Sequence, residues 1–184
     1  EQIISFCLSE KIDLVVVGPE APLVNGIVDE LEENNIRVFG PSKLASQLEG
    51  SKIFMKELCQ KYQIPTAKFA RFDNQKDALE FIDSMALPIV IKTDGLAGGK
   101  GVIIANNYDE ARSAIIEMFS GKFGEAGKKI LIEEFLEGEE MSFFAICDGE
   151  NAKFFGSAQD HKRIGEGDTG LNTGGMGAYS PSAL

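Results

Sequence analysis

The sequence predicts an α/β protein in two pieces: the end of a doubly wound domain, followed by the first part of a second domain that carries a small α+β unit. Two observations predict this. Short β-branched runs alternate with helical patterns up to Gly40-Pro41, as in a parallel sheet flanked by helices. Beyond that point the alternation gives way to paired strands around a glycine-rich segment.

Taken in order, residues 1–11 carry Ile3, Ile4, Cys7 and Leu8 at helical spacing. Leu14-Val15-Val16-Val17 is a continuous apolar run, expected to be a strand buried on both faces, and Gly18-Pro19 ends it. Residues 21–33 place Leu23, Ile27, Val28 and Leu31 on one helical face, and Asn34-Asn35 stops that helix. Ile36-Arg37-Val38-Phe39 is a second short strand, and a domain boundary is expected near residue 42. Ser42 can cap a short helix reaching Leu48, and Ser51 a second one running to about residue 62, ended by Ile64-Pro65. An αββαβ-like unit is expected over residues 66–134. Its parts are a strand at 68–72, a helix at 75–85, strands at 88–92 and 102–104, a helix at 108–119 and a strand at 129–134. Residues 141–147 and 152–155 pair around Asp148-Gly149, a strong hairpin signal. Residues 157–184 are rich in Gly, Asn, Asp and Ser and show no periodicity. A disordered linker is one reading of that stretch, but its polar residues are specific rather than repetitive.

With 43% hydrophobic and 26% charged residues, the composition suits a globular protein. A net charge of −11 argues against a partner that is nucleic acid, because such binding needs a basic surface. Any anionic ligand must therefore meet a local cluster of Lys, Arg and backbone N–H groups. No apolar run approaches the roughly 18 residues of a membrane span, so no membrane partner is expected. The chain opens without Met, inside a helical pattern and without a basic leader, so it is expected to be an internal fragment of a cytoplasmic protein. Cys7, Cys59 and Cys147 fall in apolar surroundings and read as small buried hydrophobes in a reducing compartment. There is no Cys-x-x-Cys and His161 is the single histidine, which argues against a transition-metal site of Cys and His.

The chemistry concentrates in three segments. Lys92-Thr93-Asp94-Gly95-Leu96-Ala97-Gly98-Gly99-Lys100-Gly101 combines two lysines with glycines that let backbone N–H groups approach phosphates. Its flanks are both strands, and Gly101 rather than Ser or Thr follows Lys100, so it is not a Walker loop. It reads as a flexible hairpin flap over phosphates; a turn with solvated lysines is the competing reading. The acidic segment at Glu133-Glu134-Phe135-Leu136-Glu137-Gly138-Glu139-Glu140 would, alone, be solvated surface. The third segment joins Asp160-His161-Lys162-Arg163 to Asn172-Thr173-Gly174-Gly175-Met176. It offers cations and N–H donors for a phosphorylated substrate and a carboxylate for an amine. His161 alone would more often be a packing or surface histidine and is not taken as a general base.

Together with Ser51-Lys52-Ile53-Phe54-Met55-Lys56, the first two segments resemble the ATP-grasp superfamily of carboxylate–amine ligases. The resemblance implies that Lys52 and Lys92 contact ATP phosphates and that Gly98, Gly99, Lys100 and Gly101 form the flap of a lid over residues 66–134. It also implies that Glu133, Glu134, Phe135 and Leu136 hold adenine and Glu140 the ribose. Residues 1–42 would then close the preceding (pre-ATP-grasp) domain, and residues 43–184 would begin the ATP-grasp domain. The third segment, with Gly18-Pro19-Glu20 at the end of the first strand, looks like the glycinamide ribonucleotide synthetase family. That resemblance covers essentially the whole chain. It implies ligation of glycine to 5-phosphoribosylamine with ATP by a monomer, with Lys92 and Arg163 catalytic. Gly18, Pro19, Glu20, Asp160, His161, Lys162, Arg163, Asn172, Thr173, Gly174, Gly175 and Met176 would contact substrate. Mg²⁺ or Mn²⁺ is implied too, with protein ligands outside this chain, so no metal ligand is assigned here.

Overall fold

The computed structural model describes residues 1–97, 101–167 and 169–184, with residues 171 and 172 described by their backbone. Two compact units are present, Glu1–Phe135 and Leu136–Leu184.

The first unit opens with helix α1 (Gln2–Ser9), strand β1 (Val15–Val16), helices α2 (Glu20–Asn25) and α3 (Ile27–Glu33), and strand β2 (Val38–Phe39). The strands pair in parallel, Val15 with Val38 and Val16 with Phe39. Val15 and Val38 pack with Ile4, Cys7, Ile27, Leu31 and Ile36. Strand side chains alternate between faces, so Val16 and Phe39 point the other way and stay exposed. Burial on both faces, expected from the apolar run, is thus found on one face only: a pair of two-residue strands has helices against one side. The single helix expected over residues 21–33 is broken at Gly26, whose φ of +96° ends α2. A Cβ at Gly26 would also lie 3.0 Å from the Lys43 side chain.

Helices α4 (Gln47–Gly50) and α5 (Lys52–Lys61) follow. The Ser51 hydroxyl accepts from the Phe54 N–H and caps α5, as its sequence position predicts. Next come strand β3 (Phe69–Phe72), helix α6 (Gln75–Ile82), strands β4 (Ile89–Thr93) and β5 (Val102–Ala105), helix α7 (Tyr108–Phe119), a 3-10 turn (Gly124–Lys128) and strand β6 (Ile130–Glu134). The order is βαββαβ, with the strand read at 68–72 opening the unit ahead of the αββαβ pattern. Asn74 and Asn107 cap α6 and α7 through their side-chain oxygens. α6 stops three residues short of the expected Met85, where the Ser84 hydroxyl donates to the Phe81 carbonyl and the chain tightens. The strands form one antiparallel sheet in the order β3-β6-β4-β5. Ile89, Ile91, Ile130 and Ile132 pack against Ala78, Ile82, Ala111, Ile115 and Met118 of the two helices. Each fully buried large side chain contributes on the order of 1.5–3 kcal/mol, which makes this the rigid platform of the unit.

The second unit is built on the hairpin of β7 (Ser142–Cys147) and β8 (Ala152–Asp160). Asp148 closes its turn by accepting from the N–H groups of Glu150 and Asn151. Strands β9 (Arg163–Gly165) and β10 (Thr169–Asn172) pair with each other, and β11 (Ala178–Tyr179) adds to β8. The stretch that lacks periodicity in sequence is therefore partly strand. Its residues pair through backbone hydrogen bonds, which leave no hydropathy signature. Cys147 is exposed at the end of edge strand β7, against the expectation of a buried thiol; Cys7 is buried and Cys59 half-buried.

Candidate active site

β4 and β6 each present alternate residues to opposite faces of the sheet. One set packs on α6 and α7; the other carries Lys92 and Glu133. In register, Val90 faces Glu133 and Lys92 faces Leu131, which puts Lys92 diagonally beside Glu133. The Lys92 Nζ lies 3.0 Å from Glu133 Oε1. The contact lacks hydrogen-bond alignment, leaving Oε1 as a buried side-chain oxygen without a hydrogen-bond partner. The other oxygen, Oε2, lies 2.8 Å from the Nζ of Lys56, which comes from α5. Lys56 and Glu133 are each 3% exposed. Lys56 also donates to Thr66 Oγ1 at 2.7 Å and to the Ala67 carbonyl at 3.3 Å.

Lys52 sits one turn before Lys56 on α5 and donates to the Gly95 carbonyl at 2.8 Å. Burial holds its pKa below the usual 10.5, and the neighbouring Lys92 ammonium acts in the same direction, while Asp94, Glu49 and Glu133 oppose them. Asp94, at the exit of β4, accepts from the Ser51 hydroxyl at 3.0 Å and from the Ile53 N–H at 3.2 Å. The glycine-rich loop is thus tied at its base to the N-terminus of α5, where a carboxylate is favoured. β4 and β5 form the expected hairpin, and the Thr93 N–H donates to the Gly101 carbonyl at 2.8 Å. A Cβ at Gly101 would lie 2.2 Å from Thr93 Oγ1 and 2.7 Å from the Ala97 side chain, so only glycine fits where the strands rejoin. Gly98, Gly99 and Lys100 lie outside the described residues. Of the acidic segment, Glu134 accepts from the Lys68 N–H at 2.9 Å, and Phe135 is exposed.

At the C-terminal end of β1, Gly18-Pro19 leads into α2, and Glu20 is its exposed first residue. It adjoins the end of β2, where the Val17 N–H donates to the Phe39 carbonyl.

The second unit joins the two halves of the third sequence segment. The Lys162 carbonyl accepts from the Thr173 N–H and hydroxyl, and the His161 N–H donates to the Gly177 carbonyl. The His161 carbonyl accepts from the Met176 N–H, and the Thr173 hydroxyl accepts from the Gly175 N–H. The His161 ring stacks on Tyr179 at 5.9 Å, an ordinary packing role. The Lys162 ammonium donates to Glu140, which raises the Lys162 pKa; Asp160 lies 4.0 Å away. Arg163 donates through Nη1 to the Gly170 carbonyl at 2.7 Å, and its backbone pairs with that of Asn172. Gly174 has open space above it and Met176 is exposed. Glu140, assigned to a ribose by resemblance, is exposed and pairs with Lys162 in this structure.

Sequence reasoning gave no role to Lys56, Thr66 or Asp94. Lys56 carries one usable signal: it follows Lys52 by four residues, on the same face of a helix. Among the described residues, no group of three or more His, Cys, Asp or Glu side chains could hold a metal ion. No helix among them is long and apolar enough to cross a membrane.

Residues 50–184 match the family described as phosphoribosylglycinamide synthetase, ATP-grasp (A) domain, and residues 1–49 match its N domain. The chain belongs to the phosphoribosylglycinamide synthetase family. Among family relatives, the phosphoribosylamine–glycine ligase of Mesorhizobium japonicum is 59% identical over 180 residues, covering 98% of this chain and 42% of the relative. The chloroplastic phosphoribosylamine–glycine ligase of Arabidopsis thaliana is 58% identical, covering 99% of this chain and 34% of its own length. The chain thus spans less than half the length of the curated relatives it matches. The crystal structure of phosphoribosylamine–glycine ligase from Thermotoga maritima is similar with a TM-score of 0.75 at 38% identity, over 80% of this chain and 38% of that one. The biotin carboxylase domain of the Hydrogenobacter thermophilus 2-oxoglutarate carboxylase shares the fold alone, with a TM-score of 0.71 at 20% identity over 88% of this chain and 37% of that one. The α/β repeats followed by an ATP-grasp sheet are therefore the architecture of this family member, as its sequence predicts.

Proposed function

We propose that the full-length protein is an ATP-dependent ligase that joins glycine to 5-phosphoribosylamine, giving glycinamide ribonucleotide, ADP and phosphate through a glycyl phosphate. The observation that carries the ATP half is the convergence of Lys52 and Lys92 beside the base of the glycine-rich hairpin. Two ammonium groups held close together disfavour each other's charge, and a polyphosphate relieves that repulsion. Lys92 would neutralise charge on the phosphoryl group in flight, Lys52 would bind the phosphates, and Gly98, Gly99, Lys100 and Gly101 would cover them. Residues 133–136 would hold the adenine and Glu140 the ribose, which requires Glu140 to exchange Lys162 for the sugar hydroxyls. Gly18, Pro19, Glu20 and the segments 160–163 and 172–176 would bind the amine and carboxylate substrates. Arg163 would steady the developing charge of the acyl phosphate.

In domain terms, residues 1–42 would end the first domain and residues 43–184 begin the ATP-grasp domain, with its lid at 66–134. The acids described in this chain do not form a metal-binding group. Mg²⁺ or Mn²⁺, which ATP chemistry of this kind uses, would be held by residues outside it. We read the full-length protein as a cytoplasmic monomer without nucleic-acid partners, in line with the net charge of −11 on the 184 residues of this chain.

The test is ADP release by the full-length protein with 5-phosphoribosylamine present and the carboxylate varied. Turnover with glycine that vanishes without the phosphoribosylamine is expected. ADP release only with another carboxylate or amine would discard the substrate assignment and the roles of residues 160–163.

A further inference from the structure

We propose that Lys56 is a positioning residue of the nucleotide site: it fixes Glu133 and compensates its charge, so that Lys92 remains available to an anionic ligand. The proposal rests on the nucleotide reading above and concerns a residue which that reading leaves without a role.

A lysine is almost never fully buried unless it is paired, and Lys56 is buried beside Glu133. An ammonium has three protons to donate. The Lys56 Nζ has three acceptors in reach: Thr66 Oγ1 at 2.7 Å, the Ala67 carbonyl at 3.3 Å and Glu133 Oε2 at 2.8 Å. It donates to Thr66 and Ala67 and pairs its charge with Glu133, and it is buried, so Lys56 is not presented to a ligand. It also lies over the Phe69 ring, 5.7 Å from the centroid, on the strand register that pairs Phe69 with Glu133.

Lys92 differs in each respect. Its side chain is 25% exposed, and its Nζ lies near Glu133 Oε1 without hydrogen-bond alignment. With one carboxylate between two ammonium groups, the trio carries a surplus positive charge, and Lys92 is the member that faces solvent. Remove Lys56, and the buried Glu133 carboxylate has Lys92 as its nearest counter-ion. Lys92 is then drawn into a closed pair with it, and the site loses the ammonium that Lys92 would offer an anion.

The experiment measures equilibrium binding of a non-hydrolysable ATP analogue to the full-length protein, in the wild type and in Lys56→Met, Thr66→Val, Glu133→Gln and the Lys56→Met/Glu133→Gln double variant. Lys56→Met is expected to weaken binding by about tenfold or more, the scale on which supporting partners of a site act. Thr66→Val, which removes one acceptor only, should weaken it less but in the same direction. In the double variant the neutral amide that replaces the Glu133 carboxylate no longer captures Lys92, so its affinity should be no lower than that of Lys56→Met. Should Lys56→Met not fold, Thr66→Val decides the matter. Wild-type affinity in folded Lys56→Met or in Thr66→Val, or losses that multiply in the double variant, would overturn the proposal while leaving the nucleotide reading intact. A wild-type protein that does not bind the analogue would overturn the nucleotide reading itself.

Discussion

Replacing Lys92 by Met separates the charge of this residue from its packing. The methionine keeps much of the apolar stem along the sheet and removes the ammonium. Two unit charges about 4 Å apart interact by about 4 kcal/mol at an effective dielectric constant near 20. Lys92 is a quarter exposed and shares its charge with Glu133, so about half of that, roughly 2 kcal/mol, should be felt by a bound triphosphate. Since each 1.4 kcal/mol is tenfold, nucleotide affinity should fall by about thirtyfold. Folding should respond much less. Glu133 keeps Lys56 at 2.8 Å, so no buried charge is left unpaired, and the loss should stay within about 1 kcal/mol. Nucleotide titration and urea unfolding of the same full-length preparation read both quantities. An affinity within about threefold of the wild type would refute the role given to Lys92. A stability loss of about 3 kcal/mol or more would show that Lys92, not Lys56, is the structural counter-ion of Glu133.

Other outcomes follow from the same geometry. Ile91→Ala empties a fully buried position between β4 and the two helices, and should cost about 2–5 kcal/mol by the urea midpoint with little change in its slope. Gly101→Ala forces a Cβ against Thr93 and Ala97, and should cost about 1–3 kcal/mol in the same assay. Asp94→Asn keeps an acceptor at the head of α5 but removes the charge there, so it should cost about 0.3–1 kcal/mol, while Asp94→Ala should cost more. Lys52 has a pKa depressed by burial, so its charged form is a penalty in the folded protein at neutral pH, relieved as pH climbs toward 10.5. A polyphosphate restores that charge. Analogue affinity should therefore be level at neutral pH and fall as pH rises through the depressed value, below 10.5, and Lys52→Met should flatten that fall. A wild-type profile already flat over that range would count against Lys52 as a phosphate ligand.

Legibility in the sequence followed how local each cause is. The Ser51 cap, the length of α7 and the Asp148-Gly149 turn were readable because each depends on residues within a few positions of one another. The break at Gly26 was missed because the apolar spacing runs through it, while the glycine's positive φ and its neighbour Lys43 decide the geometry. The strands of residues 157–179 were missed because their partners are chosen by backbone pairing across the unit. Lys52 and Lys92 stand in motifs that single them out as candidates; Lys56, Thr66 and Asp94 do not, because nothing in a linear sequence marks which lysine will be enclosed.

By itself, then, the sequence determined the class of the fold, the order of the elements from residue 68 to 155 and the candidate segments for meeting an anion. Those properties are carried by periodicity, turn chemistry and residue type, which act over one or two turns of chain. Only the tertiary structure decided how the charges share their work. The register of β4 against β6 and of β3 against β6 brings residues from three distant segments around one buried carboxylate. In a low-dielectric interior an ammonium needs a counter-ion, which is why the enclosed Lys56 sits on that carboxylate, while Lys92 beside it stays partly exposed at the edge.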